Sequence, residues 1–216
     1  MFSGIVERQA VVVSMDRRVG TTCSLKLELG GSVKSVNIGD SLCVNGVCLT
    51  VRSRSEAKVT LDVIAETLRV TDLGALSKGS KVNIERSLRL SDRIGGHLVT
   101  GHVDGVGRII ERSRMPDGSL KVWVEAARRL ISMMVPKGSV ALDGVSLTLV
   151  DVSQTSFSVC LIPHTLSLTT LGHKTEGATV NIEVDMVAKY VRKYLEQMKP
   201  RSRSSDNRGR RNSSGS

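Results

Sequence analysis

The chain has 216 residues, a size that admits one large domain or two small ones. Only five residues are aromatic (Phe2, Trp123, Phe157, Tyr190 and Tyr194), so the cores must be built from Val, Leu and Ile, and a flat ligand has few rings to stack on. The net charge of +10 overstates the body, because from Lys199 onward six Lys/Arg face Asp206 alone; what remains is only mildly basic and has no groove-like cluster of Arg and aromatics, which argues against a nucleic-acid-binding body.

The opening MFSGIVERQ has no apolar run behind a basic start, so no signal peptide is expected. No later stretch is long enough to cross a membrane, and a cytoplasmic setting with reduced thiols is expected. A first strand is predicted over 2–14, a second over 22–29, and a hairpin-like pair over 41–53 that turns at Asn45 and Gly46. A strand at 58–65, a turn of helix near 66–70 and a strand at 81–85 follow. Six short strands with Gly-rich turns form the pattern of a small closed barrel. Residues 86–96 link this unit to the next and end in Gly95 and Gly96.

The series then returns, with strands over 98–113, 119–126, 139–151, 156–163 and 180–184 and a turn near 165–169. MVAKYVRKYLEQM at 186–198 reads as a helix, with Val187, Tyr190, Val191, Tyr194, Leu195 and Met198 on one stripe. It comes after the second unit is complete, so the stripe packs either on its own domain or against copies of itself. The tail over 199–216 has no apolar side chain except Pro and is expected to be disordered.

Three blocks recur at a constant spacing of 98 residues. NGVCLTV at 45–51 returns as DGVSLTL at 143–149, IAETLRVTDLG at 64–74 as IPHTLSLTTLG at 162–172, and GSKVNIE at 79–85 as GATVNIE at 177–183. Shifted by one, FSGIVE at 2–7 aligns with VTGHVD at 99–104. The chain is therefore two copies of one module, and two copies imply two equivalent pockets. The expected fold is all-β: two homologous six-stranded antiparallel β-barrels in tandem, 1–96 and 97–185, plus a C-terminal α-helix at 186–198.

Chemistry concentrates in GGHLVTGHVDG at 95–105, where His97 and His102 lie five residues apart among glycines. On a strand that odd spacing puts them on opposite faces and argues against a shared metal; either is a buried structural imidazole or a proton carrier. Cys48 with Thr50, and Ser146 with Thr148, share one strand face beside a Gly turn, where they can hydrogen-bond the edge of a polar heterocycle. Asp185, matched by Ser87 in the first copy, reads equally as a general base or as the cap of the helix that follows. Cys23, Cys43, Cys48 and Cys160 show no CxxC or metal-ligand spacing, and Cys43 and Cys160 read as ordinary buried strand residues. With no P-loop and no dinucleotide fingerprint, the expected chemistry needs neither phosphate donor nor metal.

MFSGIVE, NGVCLTV, ETLRVTDLG, VNIERS, GGHLVTGHVDG, DGVSLTL, IPHTLSLTTLG and VNIEVD resemble the riboflavin synthase family (alpha chain) in order and spacing from residue 1 to about 198. The resemblance implies two six-stranded barrels and a C-terminal helix through which a homotrimer assembles. It also implies a cofactor-free dismutation of two 6,7-dimethyl-8-ribityllumazine molecules into riboflavin and 5-amino-6-ribitylaminouracil. The implied active site lies between the first barrel of one subunit and the second barrel of its neighbour.

By the same resemblance, one lumazine meets Cys48, Leu49 and Thr50 with Asp62, Val63, Ile64, Ala65, Glu66 and Thr67, while Gly101, His102 and Val103 come from the other barrel. The second meets Ser146, Leu147 and Thr148 with Cys160, Leu161, Ile162, Pro163, His164 and Thr165, while Gly4, Ile5, Val6 and Lys137 come from across the interface. Ser41, Cys48, His97, His102, Ser146, Thr148 and Asp185 look like the polar groups such catalytic sites use. The alternative is a non-catalytic lumazine- or flavin-binding protein of the same fold. Retention of hydroxyl, thiol and imidazole groups in both copies favours catalysis.

Overall fold

A computed structural model describes residues 1–17, 22–30 and 35–198. The expected tail at 199–216 lies outside the described residues. The first barrel contains β1 (Arg8–Arg17), β2 (Thr22–Glu28), β3 (Ser41–Val44), β4 (Val47–Ser55), β5 (Lys58–Ile64) and β6 (Lys81–Arg86), closed in the order β1-β2-β5-β4-β3-β6. The second contains β7 (Gly105–Arg114), β8 (Leu120–Glu125), β9 (Ser139–Leu142), β10 (Val145–Val152), β11 (Ser156–Leu161) and β12 (Thr179–Val184), closed in the same order. Among the described residues every strand pairing is antiparallel, and closure leaves no open sheet edge.

The interiors follow from strict alternation. On β5, Val59, Leu61 and Val63 are fully buried; on β11, Val159 and Leu161 are. Each such side chain contributes about 1.5–3 kcal/mol of burial. The register slips between Val12 and Ser14 and between Val51 and Ser53, and again between Ile109 and Glu111 and between Leu149 and Val152. These matched bulges add the local bend a small barrel needs. The short helices α1 (Ala65–Val70) and α3 (Pro163–Leu168) end alike, with Thr71 and Thr169 hydroxyls donating to the carbonyls of Thr67 and Thr165 at 2.6 and 2.8 Å. A one-turn helix, α2 (Arg128–Ile131), has no sequence signal; it forms because Leu130 and Ile131 are drawn into the core of the second barrel.

The first predicted strand of each module is too long. Residues 2–7 and 98–104 lie outside the barrel strands and touch each other through a Phe2–Val99 bridge. Gly4 and Gly101 adopt φ of +76° and +80°, which ends extended structure there. His97 and His102 therefore sit on irregular backbone, and the opposite-face argument does not apply to them.

The barrels are locked by a pseudo-symmetric polar network. Asn83 donates its backbone N–H to Asn45 Oδ1 and its amide to the Asp143 carbonyl; Asn181 donates its backbone N–H to Asp143 Oδ1 and its amide to the Asn45 carbonyl. Beside it Phe2, Cys43, Val99 and Ala141 form a small apolar core between the barrels. Symmetry breaks at one point: Lys174 pairs with Asp72 of the first module at 3.1 Å and with fully buried Asp143 at 2.5 Å.

The helix α4 (Met186–Met198) coincides with its predicted span. Lys189 pairs with Asp104 at 2.7 Å, and Arg192 donates to the Arg129 carbonyl and Ser132 Oγ. All six residues of its apolar stripe remain exposed.

Candidate functional site

Leu49 and Leu147 point into the barrels, so alternation puts Cys48 and Thr50 on one face and Ser146 and Thr148 on one face, as expected, and the structure turns both faces outward. The candidate functional surface is therefore the outer wall of each barrel. Leu49, Val63, Leu147 and Leu161, expected to meet substrate, face the interiors and present only backbone to that wall. Asp62 and Ile64 at the end of β5, and their counterparts Cys160 and Ile162 on the second barrel, point outward next to the first turn of α1 or α3. Ile64 and Ile162 are 56% and 57% exposed, an apolar platform in each copy. Cys160 is half-exposed on this wall, contrary to the expectation of a buried strand residue, because it sits on the outward register of β11.

Each platform is completed by the irregular segment of the other module. The Ser146 N–H donates to the Gly4 carbonyl at 2.7 Å, and the Cys48 N–H donates to the Gly101 carbonyl at 2.9 Å. A methyl on Gly4 would stand 2.6 Å from Ser146 Cβ, and one on Gly101 2.6 Å from Cys48 Cβ, so only glycine fits either place. Val6 is buried in the core of the second barrel, and Val103 packs on the core of the first. The structure thus brings 101–103 to the 48–50 side and 4–6 to the 146–148 side within one chain. Lys137 differs: its N–H donates to Leu149 O on its own barrel, and within the chain it does not join the segment of the other module. It holds φ +70° where its counterpart Gly39 holds +90°. A lysine kept in the left-handed region carries backbone strain of the kind found at functional sites.

The two copies carry different polar groups. On the second, His97 Nδ1 lies 2.7 Å from Ser146 Oγ. Burial lowers the His97 pKa, against a smaller upward pull from Asp185 and Glu183, so the imidazole is neutral at pH 7. Asp185 Oδ1 accepts the Val187 N–H at 2.9 Å, so it caps α4 while standing near His97. The two readings of Asp185 are compatible. Beside Cys160, Lys121 pairs with Asp151 at 2.8 Å, which holds that carboxyl below the usual range. In the first copy Asp62 pairs with Arg52 at 3.2 Å, and Glu66 with Arg69 at 2.6 Å. His102 is exposed, on the residue after Gly101, and His164 is exposed at the start of α3. Ser41 pairs with Thr50 across β3 and β4 and lines a cavity of about 650 Å³ that also meets Ile5 and the 86–95 link.

Two acidic residues escaped notice in the sequence. Glu85 accepts hydrogen bonds from Ser3 N and Oγ and from Gly4 N; Glu183 accepts them from Thr100 N and Oγ1 and from Gly101 N. Burial raises the Glu85 pKa against the bonds from Ser3, Gly4 and Ile5. The signal was the repeated VNIE, where an acid survives inside an apolar strand in both copies.

The lumazine binding domain family model matches residues 3–87 and 100–185. The chain is 41% identical over 197 residues to riboflavin synthase of Bacillus subtilis (strain 168), covering 90% of each chain. It is 43% identical over 192 residues to riboflavin synthase of Chlamydia pneumoniae, covering 88% of this chain and 92% of that one. Among solved structures, LumP complexed with 6,7-dimethyl-8-(1'-D-ribityl) lumazine superimposes with a TM-score of 0.77 at 25% identity, over 86% of this chain and 99% of that one. The chain belongs to the riboflavin synthase family, built from two lumazine binding domains.

Proposed function

We propose that the protein is a cytoplasmic, homotrimeric riboflavin synthase that dismutates two 6,7-dimethyl-8-ribityllumazine molecules, one held on each barrel. The observation that carries this reading is the doubled site: Cys48 and Thr50 under Gly101, and Ser146 and Thr148 under Gly4, built to one plan with different side chains. Equal plans hold identical molecules; unequal groups give them unequal roles. Each platform is open on the outer wall, and the exposed stripe of α4 supplies a seam, so a neighbouring chain can close two sites face to face. Stacking one substrate ring on the other removes the need for aromatic side chains and supplies most of the rate as proximity.

The C7 methyl of the lumazine is unusually acidic, so a modest base suffices to form the donor carbanion. His102, Cys48, Asp185 and a bound water are the candidates for that proton transfer, and neutral His97 orients the Ser146 hydroxyl. Purified protein incubated with dimethylribityllumazine alone should convert two equivalents to one of riboflavin, followed by absorbance. Tight lumazine binding with no riboflavin formed would instead identify a binding protein of this fold.

A further inference from the structure

We infer that Glu85 and Glu183 are crossed positioning residues: each belongs to one barrel and fixes the glycine segment that completes the substrate site of the other. The inference deepens the proposed function and rests on its two sites. Glu85 lies on β6 of the first barrel, 4% exposed, and holds residues 3 and 4 by three hydrogen bonds of 2.7–3.0 Å. The carbonyl of Gly4 then meets Ser146 of the second barrel. Glu183 lies on β12 of the second barrel, 2% exposed, and holds residues 100 and 101 at 2.7–2.9 Å. The carbonyl of Gly101 then meets Cys48 of the first.

The chemistry at each carboxylate favours an acid specifically. The groups that bond each glutamate all act as donors, so a carboxylate satisfies them with acceptors alone. A glutamine is isosteric but must aim its NH2 at one of those donors. The substitution therefore frees a segment without opening a cavity. Because the segments are exchanged, damage to one barrel should appear at the site of the other.

The test uses the full-length chain with Glu85→Gln and Glu183→Gln, and two readouts. The first is hydrogen exchange without ligand. Glu85→Gln should speed exchange at the Ser146 amide roughly tenfold or more and spare the Cys48 amide; Glu183→Gln should do the reverse. The second is protection by riboflavin against iodoacetamide, read by peptide mass spectrometry at Cys48 for the first site and Cys160 for the second. Glu183→Gln should lose protection at Cys48 only, and Glu85→Gln at Cys160 only. Where a glutamine variant fails to fold, Ser3→Ala and Thr100→Val remove one bond from the same clamps and should give the same crossed pattern in weaker form. Effects confined to the mutated barrel, equal effects on both sites, or unchanged exchange at both amides would overturn the inference. Crossed exchange in variants of a parent protein whose thiols riboflavin never protects would uphold the clamps and sink the substrate sites proposed above.

Discussion

Gly46 and Gly144 back onto each other across the barrel interface: a methyl on either would stand 2.8 Å from the amide nitrogen of the other. Both occupy the second place of a two-residue hairpin turn, at φ +81° and +78°, after Asn45 and Asp143 at +46°. The two turn tips therefore meet at the pseudo-twofold axis that relates the modules. Alanine at either glycine adds left-handed strain to a clash with immobile backbone, a loss of about 1–3 kcal/mol. For a chain of this size that corresponds to a fall in Tm of roughly 2–4 °C for each kcal/mol, readable by calorimetry. An unchanged Tm in Gly46→Ala would show that the tips do not touch.

The pairing of Lys174 with Asp72 and Asp143 tests how the modules are joined. Lys174→Leu restores the residue found at the matching position 76, but leaves two acids facing each other without their cation. The expected cost is about 3–5 kcal/mol. Adding Asp72→Thr and Asp143→Asn restores the residues at matching positions 170 and 45 and should recover most of that loss. Failure of the triple variant to recover would mean that the network does more than satisfy its own charges.

The same cluster sets a pH dependence. Burial raises the Asp143 pKa from 3.8 to about 6, opposed by Lys174 and assisted by Asp72. The folded state therefore holds this proton more tightly than the unfolded chain does. Its contribution is full below the unfolded value and is lost as pH rises through about 6. Denaturant unfolding at pH 4.5 and 7 should show Asp143→Asn gaining on the parent protein at the higher pH. A constant difference would refute the shift.

His97 runs the other way. Its pKa is lowered by burial from 6.5, so its contribution is present above that value and is lost as pH falls through the folded-state pKa. NMR titration of the ring should give a midpoint below 6.5. His102→Gln, on an exposed imidazole, should leave folding intact and cost roughly 10²–10⁴ in turnover with ligand affinity little changed, the pattern of a lost acid–base group. Turnover within threefold of the parent would remove His102 from the chemistry.

Lys137 offers a test of strain kept for function. Lys137→Gly matches Gly39 and relieves the left-handed backbone, so stability should hold or rise by about 1 kcal/mol while turnover falls. Full activity in that variant would make the lysine a bystander.

An aspartate at Val191 or Leu195 places a charge in the exposed apolar stripe of α4. Sedimentation should then report monomers with little activity, because the proposed sites need two chains. Normal turnover by such a monomer would place the whole site within one chain.

The 98-residue repeat, alternation along the strands and turn residues such as Asn45 and Gly46 were enough to derive two six-stranded barrels and the shared strand face of Cys48 with Thr50 and of Ser146 with Thr148. These features are local: alternation assigns a face without knowing what lies opposite it. The helix at 186–198 was readable for the same reason, since its stripe repeats within three turns. Pattern could not reveal that residues 2–6 and 99–103 leave their expected strands and cross to the opposite module. That path is decided by Glu85, Glu183, Gly4 and Gly101, whose hydrogen bonds join positions about 80 residues apart in one barrel and close approaches in the other. Nor could spacing alone foresee Lys174 between Asp72 and Asp143. Long-range pairing of buried polar groups is fixed by which surfaces meet, and only packing of the two modules against each other determines that.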